Sequence, residues 1–237
     1  NQFLEKTFGA ADPWQRGTRG VSLVDALKQA EGEVHGAFAG QPAVEAGVLE
    51  TLARTYSGLG QHKEAEALVR RALTLRGAGK AEKTVAIADT LGLLSRTLWD
   101  QNRYAEAAKA AREELAIRTR LQGTDSGPAA QAMNDLASAL AGTGDFQEAE
   151  RLATEALAIR RRVFGPRSDE AAASLRTIAN LDVEEKDHAR TQRATDERLA
   201  ILRERHGNES PQVALALNDV GISRLDAGDL AGAEKFL

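Results

Sequence analysis

The sequence predicts an all-α array of antiparallel helix pairs, an α-solenoid, on three observations. The chain repeats itself every 42 residues: Ala65, Ala107, Ala149 and Ala233 share one phase, Gly123, Gly165 and Gly207 a second, and Ser126, Ser168 and Ser210 a third. The segments YSGLGQHKEAEALVRRALTLR, LWDQNRYAEAAKAAREELAIR and LAGTGDFQEAERLATEALAIR overlay without a gap. Aromatic residues make up only 4% of a chain rich in Ala, the best helix former and small enough to let helices approach closely. An array at this period has no single deep core in which to build an active site.

The elements follow in order. Residues 2–11, with Phe3, Leu4 and Phe8, predict a short helix that ends in the loop Asp12-Pro13-Trp14. Ser22 to Asp25 form a capping box that opens a helix over 22–38. Its Leu23, Leu27 and Ala30 stand 42 residues before Ala65, Val69 and Ala72, so residues 1–40 are expected to form an N-terminal capping half-repeat. Repeats follow at 42–78, 84–122, 126–164, 168–206 and 210–237, the last truncated, all in a single array. Helices are predicted at 43–59, 61–77, 84–101, 103–122, 126–143, 145–164, 168–186, 188–206 and 210–227.

In the third repeat Met133, Leu136, Ala137 and Leu140 form an i, i+3, i+4, i+7 stripe on helix A. Gly144-Asp145 breaks it, and Phe146, Ala149, Ala153, Ala156 and Leu157 form the stripe of helix B. Gly165 suits the left-handed position after a helix, Ser168 the next N-cap, and Pro211 the first helical position after Ser210. Where the two helices cross, Ala53 or Ala137 on A faces Ala65 and Ala72, or Ala149 and Ala156, on B, with Tyr56, Leu98 and Leu140 filling the space above. The fourth repeat breaks this pattern with Asp182, Lys186, Thr191 and Arg198; Glu114 is a smaller departure in the second. These departures are drift, with the polar ends reaching solvent, or else a deliberately loose joint or a partner site.

Leu52-Ala53, Tyr56, Gly60, Ala65 and Ala72 together resemble the tetratricopeptide repeat (TPR). The 42-residue period is similar to its kinesin-light-chain variety, and the resemblance covers 42–237. It implies a right-handed superhelix that holds an extended peptide or a partner protein in its concave groove. Carrying over the family's concave phases gives Glu50 and Arg54, Arg96 and Trp99, Asn134 and Asp135, Arg176 and Asn180, and Asn218 and Asp219. Asn and Arg on such a wall can hydrogen-bond a peptide's backbone and carboxylates. A wet polar face is the competing reading, since every such helix needs one polar side. The order FLEKTFGAADPW, a helix, then Gln41-Pro42 resembles the segment downstream of the kinase domain in bacterial serine/threonine kinases fused to TPRs. This implies an alternative role as the regulatory or sensor segment of a larger signalling protein. No kinase motif is present in the chain.

No chemistry is expected. His35, His62, His188 and His206 lie far apart in sequence, at turns and helix ends. Gly77-Ala78-Gly79-Lys80 fails the phosphate-loop pattern, which needs an earlier Gly where Thr74 stands and Ser or Thr where Ala81 stands. Arg76, Arg118 and Arg160 recur at one phase; they are an anion-binding ladder or, as we read them, partners of the helix dipole and neighbouring acids. We expect no catalytic residue, no metal and no cofactor. The net charge of −4 is interleaved, so a nucleic-acid surface is not expected, and no apolar run suits membrane insertion. Self-association stays open. Zero Cys leaves the compartment unfixed. The working expectation is a cytoplasmic fragment of a longer protein, which leaves room for a membrane-anchored parent.

Overall fold

The computed structural model describes residues 22–77, 84–185 and 188–236, with side chains left undescribed at 182–185. The expected helix over 2–11 and its loop lie outside the described residues. Every regular element among those described is helical. The chain divides into two compact units, Asn1–Arg103 and Tyr104–Leu237.

The first unit holds α1 (Leu23–Ala37), α2 (Pro42–Gly58), α3 (His62–Leu75) and α4 (Val85–Trp99). Helix α3 packs against both α2 and α4, and α2 also touches α4. Ser22 caps α1 by accepting from the Asp25 N–H, and Thr84 caps α4 by accepting from the Ile87 N–H. Ala53, Ala65 and Ala72 are wholly buried at the α2–α3 crossing, and Tyr56 fills the space above them. Leu27 and Ala30 are buried as their phase predicts, whereas Leu23, at the first position of α1, is 41% exposed.

The second unit holds α5 (Tyr104–Gln122), α6 (Gly127–Thr143), α7 (Phe146–Phe164), α8 (Asp169–Glu185), α9 (His188–His206), α10 (Pro211–Asp226) and the short α11 (Leu230–Ala233). Each packs on the next in chain order, and α6 also touches α8. Ser126, Ser168 and Ser210 cap α6, α8 and α10 through the N–H three residues on. Ala137, Ala149 and Ala156 are wholly buried at the α6–α7 crossing, which is why those positions are small. Helix α11 was not among the expected helices; it buries Ala233, in phase with Ala65 and Ala149, and Asp229 caps it.

The observed helices start and stop within about two residues of the expected limits, as local caps dictate. Helix α3 ends at Leu75 rather than 77 because Gly77 turns left-handed at φ 73°. Helix α4 ends at Trp99 rather than 101 because the chain turns over Asn102, at φ 59°. Asn102 shares the phase of Gly60, Gly144 and Gly228, and Asn is the side chain best able to replace Gly there.

Candidate functional site

Polar side chains at the inner phases fall into two groups. Some are spent on holding neighbouring repeats together; others remain open.

The first kind forms a three-residue clasp linking one repeat to the next. In the first unit Arg76, at the end of α3, donates to Glu50 on α2 from Nε at 2.8 Å and from Nη2 at 3.0 Å. Thr90 on α4 donates to the same carboxylate. The Glu50 hydrogen bonds hold the Arg76 guanidinium above its usual range, against a smaller opposing push from burial. Glu50 was expected on an open wall; it is 8% exposed, because it is the hub of this clasp.

The same three phases, 84 residues on, carry Asn134, Arg160 and Ser174. Here Ser174 is the hub, accepting from Asn134 Nδ2 at 3.1 Å and from Arg160 Nη1 at 3.0 Å. Arg160 also donates to the Glu170 carbonyl at 3.0 Å and to Gln131 Oε1 at 2.6 Å. It is 2% exposed and makes no ion pair among the described residues, so burial lowers its pKa despite Asp135 and Glu170 nearby. The expected pairing of the Arg ladder with acids therefore describes Arg76, and Arg118 with Glu114 at 2.7 Å, but not Arg160. Asn134, expected on the wall, is buried and its amide is engaged. Asp135 is half-buried and accepts from Gln131 at 2.7 Å.

One repeat further the clasp phases read Arg176, Leu202 and Ala216, which cannot form it. Arg198 on α9 stands where Ala72 and Ala156 are small. It is 7% exposed and donates to Asp219 on α10 at 2.5 Å. Burial lowers its pKa, Asp219 opposes that, and the Arg176 charge adds to it. A cleft opens between α8 and α10 with α9 as its floor. Its larger chamber, about 390 Å³, is bounded by Ala172, Ala173, Leu202 and Leu215, with Asp169 and His206 at its end. The smaller, about 130 Å³, is lined by Asn180, Thr191, Thr195, Asp219, Ile222 and Asp226. Arg176 and Arg198 line both and form the waist. His206 Nε2 lies 2.8 Å from Asp169, whose carboxyl is raised by partial burial but held lower overall by His206 and Arg205.

Of the expected wall residues in this unit, the cleft thus brings together Arg176, Asn180 and Asp219; Asn218 is exposed on the same helix as Asp219. In the first unit Arg54 is exposed, Arg96 is half-buried and Trp99 is 43% exposed. Arg198 was expected only as a fourth-repeat departure and not among the wall residues, and the apolar floor was not expected. The available signal was Arg198 breaking an Ala phase while Leu202 broke an Arg phase one turn away. No group of three or more His, Cys, Asp or Glu suited to a metal occurs among the described residues, and no described helix is long and apolar enough to cross a membrane.

Helix pairs at a 42-residue repeat, crossing through buried alanines, define an α-helical repeat array. Tetratricopeptide-repeat family models match residues 45–120 and 129–170. The chain is a tetratricopeptide-repeat protein. Its fold is similar to that of BtubC (BKLC) from P. vanneervenii, with a TM-score of 0.71 at 22% identity over 90% of this chain and 86% of that one. It is also similar to a putative kinesin light chain from Podospora anserina with nearly identical TPR-like repeats, with a TM-score of 0.67 at 18% identity over 83% and 93%. A Rap protein complexed with Competence and Sporulation Factor gives a TM-score of 0.74 at 14% identity, over 99% of this chain and 61% of that one. No curated protein sequence matches the chain.

Proposed function

We propose that this array is a binding scaffold for a protein or an extended peptide segment, and that the cleft between α8 and α10 is its principal docking surface. The observation that carries the reading is the open cleft left where the clasp is missing. The clasp residues of the first and third repeats are replaced here, as two of the three also are at Gly92 and Ala132, but here Arg176 and Asn180 are exposed over an open chamber. A Rap protein of the same fold is complexed with Competence and Sporulation Factor, which supports ligand capture as a use of such arrays. Asn218 adds a further amide on α10, and Arg54, Arg96 and Trp99 offer cationic and aromatic contacts in the first unit, the side chains most common at binding hot spots.

Selection of random linear peptides on the full chain tests the reading. Specific peptides are expected, and Asn180→Ala together with Asn218→Ala should weaken them with the melting temperature unchanged. Failure to enrich any peptide over a heat-unfolded control would remove it. A second reading makes the array the sensor segment of a larger signalling protein. It rests on the order of motifs across residues 1–42, and the domains encoded beside this segment in its gene test it.

A further inference from the structure

Resting on that reading, we propose that the occupant of the cleft is an acidic–aliphatic segment: an Asp or Glu carboxylate bound by Arg176 beside Arg198, with a neighbouring aliphatic side chain in the larger chamber.

The charge count at the waist carries this. Two guanidiniums line it, close enough for the Arg176 charge to act on Arg198, and one carboxylate, Asp219, is paired there, with Arg198. Arg176 is exposed and has no carboxylate partner among the described residues. The side chain of Arg198 is only 9% exposed, so its end of the pair is fixed in place rather than free to swing away. A second carboxylate would complete an alternating cluster of two cations and two anions. Guanidinium is the group whose planar fork takes a carboxylate through two parallel hydrogen bonds. A dianionic phosphate suits the waist less well, because it would overbalance the single unmatched charge beside Asp219.

Direction follows from the two chambers. The smaller one carries Asp219 and Asp226, which repel an acid. In the larger one the acid, Asp169, is already held by Arg205 at 3.0 Å and by His206. Its lining is mainly apolar, and Leu215 is 63% exposed, so burying an aliphatic side chain there is favourable. The acid therefore sits at the waist and the aliphatic neighbour toward Leu202 and Leu215.

The test compares the full chain with Arg176→Gln and with Arg193→Gln, which removes an exposed charge outside the cleft lining. Random linear peptides are selected on each protein. The wild-type chain and the Arg193 variant should enrich Asp or Glu next to Leu, Ile or Val; the Arg176 variant should lose that preference while melting at the wild-type temperature. A selected peptide remade with its acid as the amide should bind wild type about tenfold more weakly, and bind Arg176→Gln no more weakly than the parent peptide does. Peptides enriched without an acid would overturn the carboxylate while leaving peptide binding intact. Acidic peptides that bind Arg176→Gln as they bind wild type would overturn the placement. No enrichment on any of the three would remove the binding reading as well.

Discussion

Between the third and fourth repeats Arg160 is shut in, held by Ser174, Gln131 and the Glu170 carbonyl; between the fourth and fifth, the corresponding position is Leu202 and the arginines have moved to Arg176 and Arg198, over a cleft. Both junctions use the same backbone phases. What differs is where the cations sit: Arg160 is buried and ties three helices together, whereas Arg176 and Arg198 line the cleft and Arg176 is exposed. A repeat array can therefore open a site without changing its fold, by moving a long polar side chain from the clasp phase to the alanine phase.

The largest expected effect comes from treating the two arginines alike. Arg160→Ala should destabilise by ~2–4 kcal/mol, through a cavity and unpaired buried acceptors, whereas Arg198→Ala should stay within ~1 kcal/mol because it restores the small residue and releases an acid that is already partly wet. Urea titrations of both variants check this, and equal losses would dissolve the contrast. The next effect is at the helix crossings. Ala149→Leu should cost ~1–3 kcal/mol by overpacking, and Thr191→Ala, at the same phase one repeat on, should be neutral or stabilising. Thermal melts in the reverse order would remove the phase assignment.

A smaller effect comes from making the third-repeat clasp resemble the first. Asn134→Glu gives Arg160 the carboxylate that Glu50 gives Arg76, and should stabilise by ~1 kcal/mol. A loss of that size in denaturant titration would show that the neutral version is adapted to its burial. The smallest effect is the acid limb at the cleft end. Asp169 has its carboxyl held below the ordinary 3.8 once the opposing effect of partial burial is overcome, so its contact contributes above that pH and is lost as pH falls through the lowered value. Wild type should exceed Asp169→Asn by less than ~1 kcal/mol at neutral pH after solvent screening, and the difference should vanish in strong acid. A difference constant with pH would contradict the assignment.

The helix pairs were legible in the sequence because their signals are local. Ser126, Ser168 and Ser210 act on the N–H three residues on, and Gly144 and Asn102 set the turns at their own positions. The clasps were not legible. Glu50 meets Arg76 across 26 residues and Thr90 across 40, and each alone looks like a polar residue on a wet helix face. The same blindness put Asn134 on the wall. The cleft was legible only as an irregularity: Arg198 stood out as a departure, but a departure does not say whether a long side chain folds inward, pairs across to Asp219, or holds two helices apart.

The clasps also bear on how such a chain can lengthen or shorten. Each joins two A helices through the B helix between them, and its first member, Glu or Asn, recurs 84 residues apart, at Glu50 and Asn134. A gene duplication or deletion of one 42-residue unit would bring Arg76 or Arg160 beside residues suited to a different junction, whereas gain or loss of 84 residues would return each arginine to an equivalent pair of partners. Chimeras cut on the 84-residue spacing should therefore keep the clasp residues matched, where a single-repeat cut sets Ala132 or Ala216 in the place of Thr90 or Ser174.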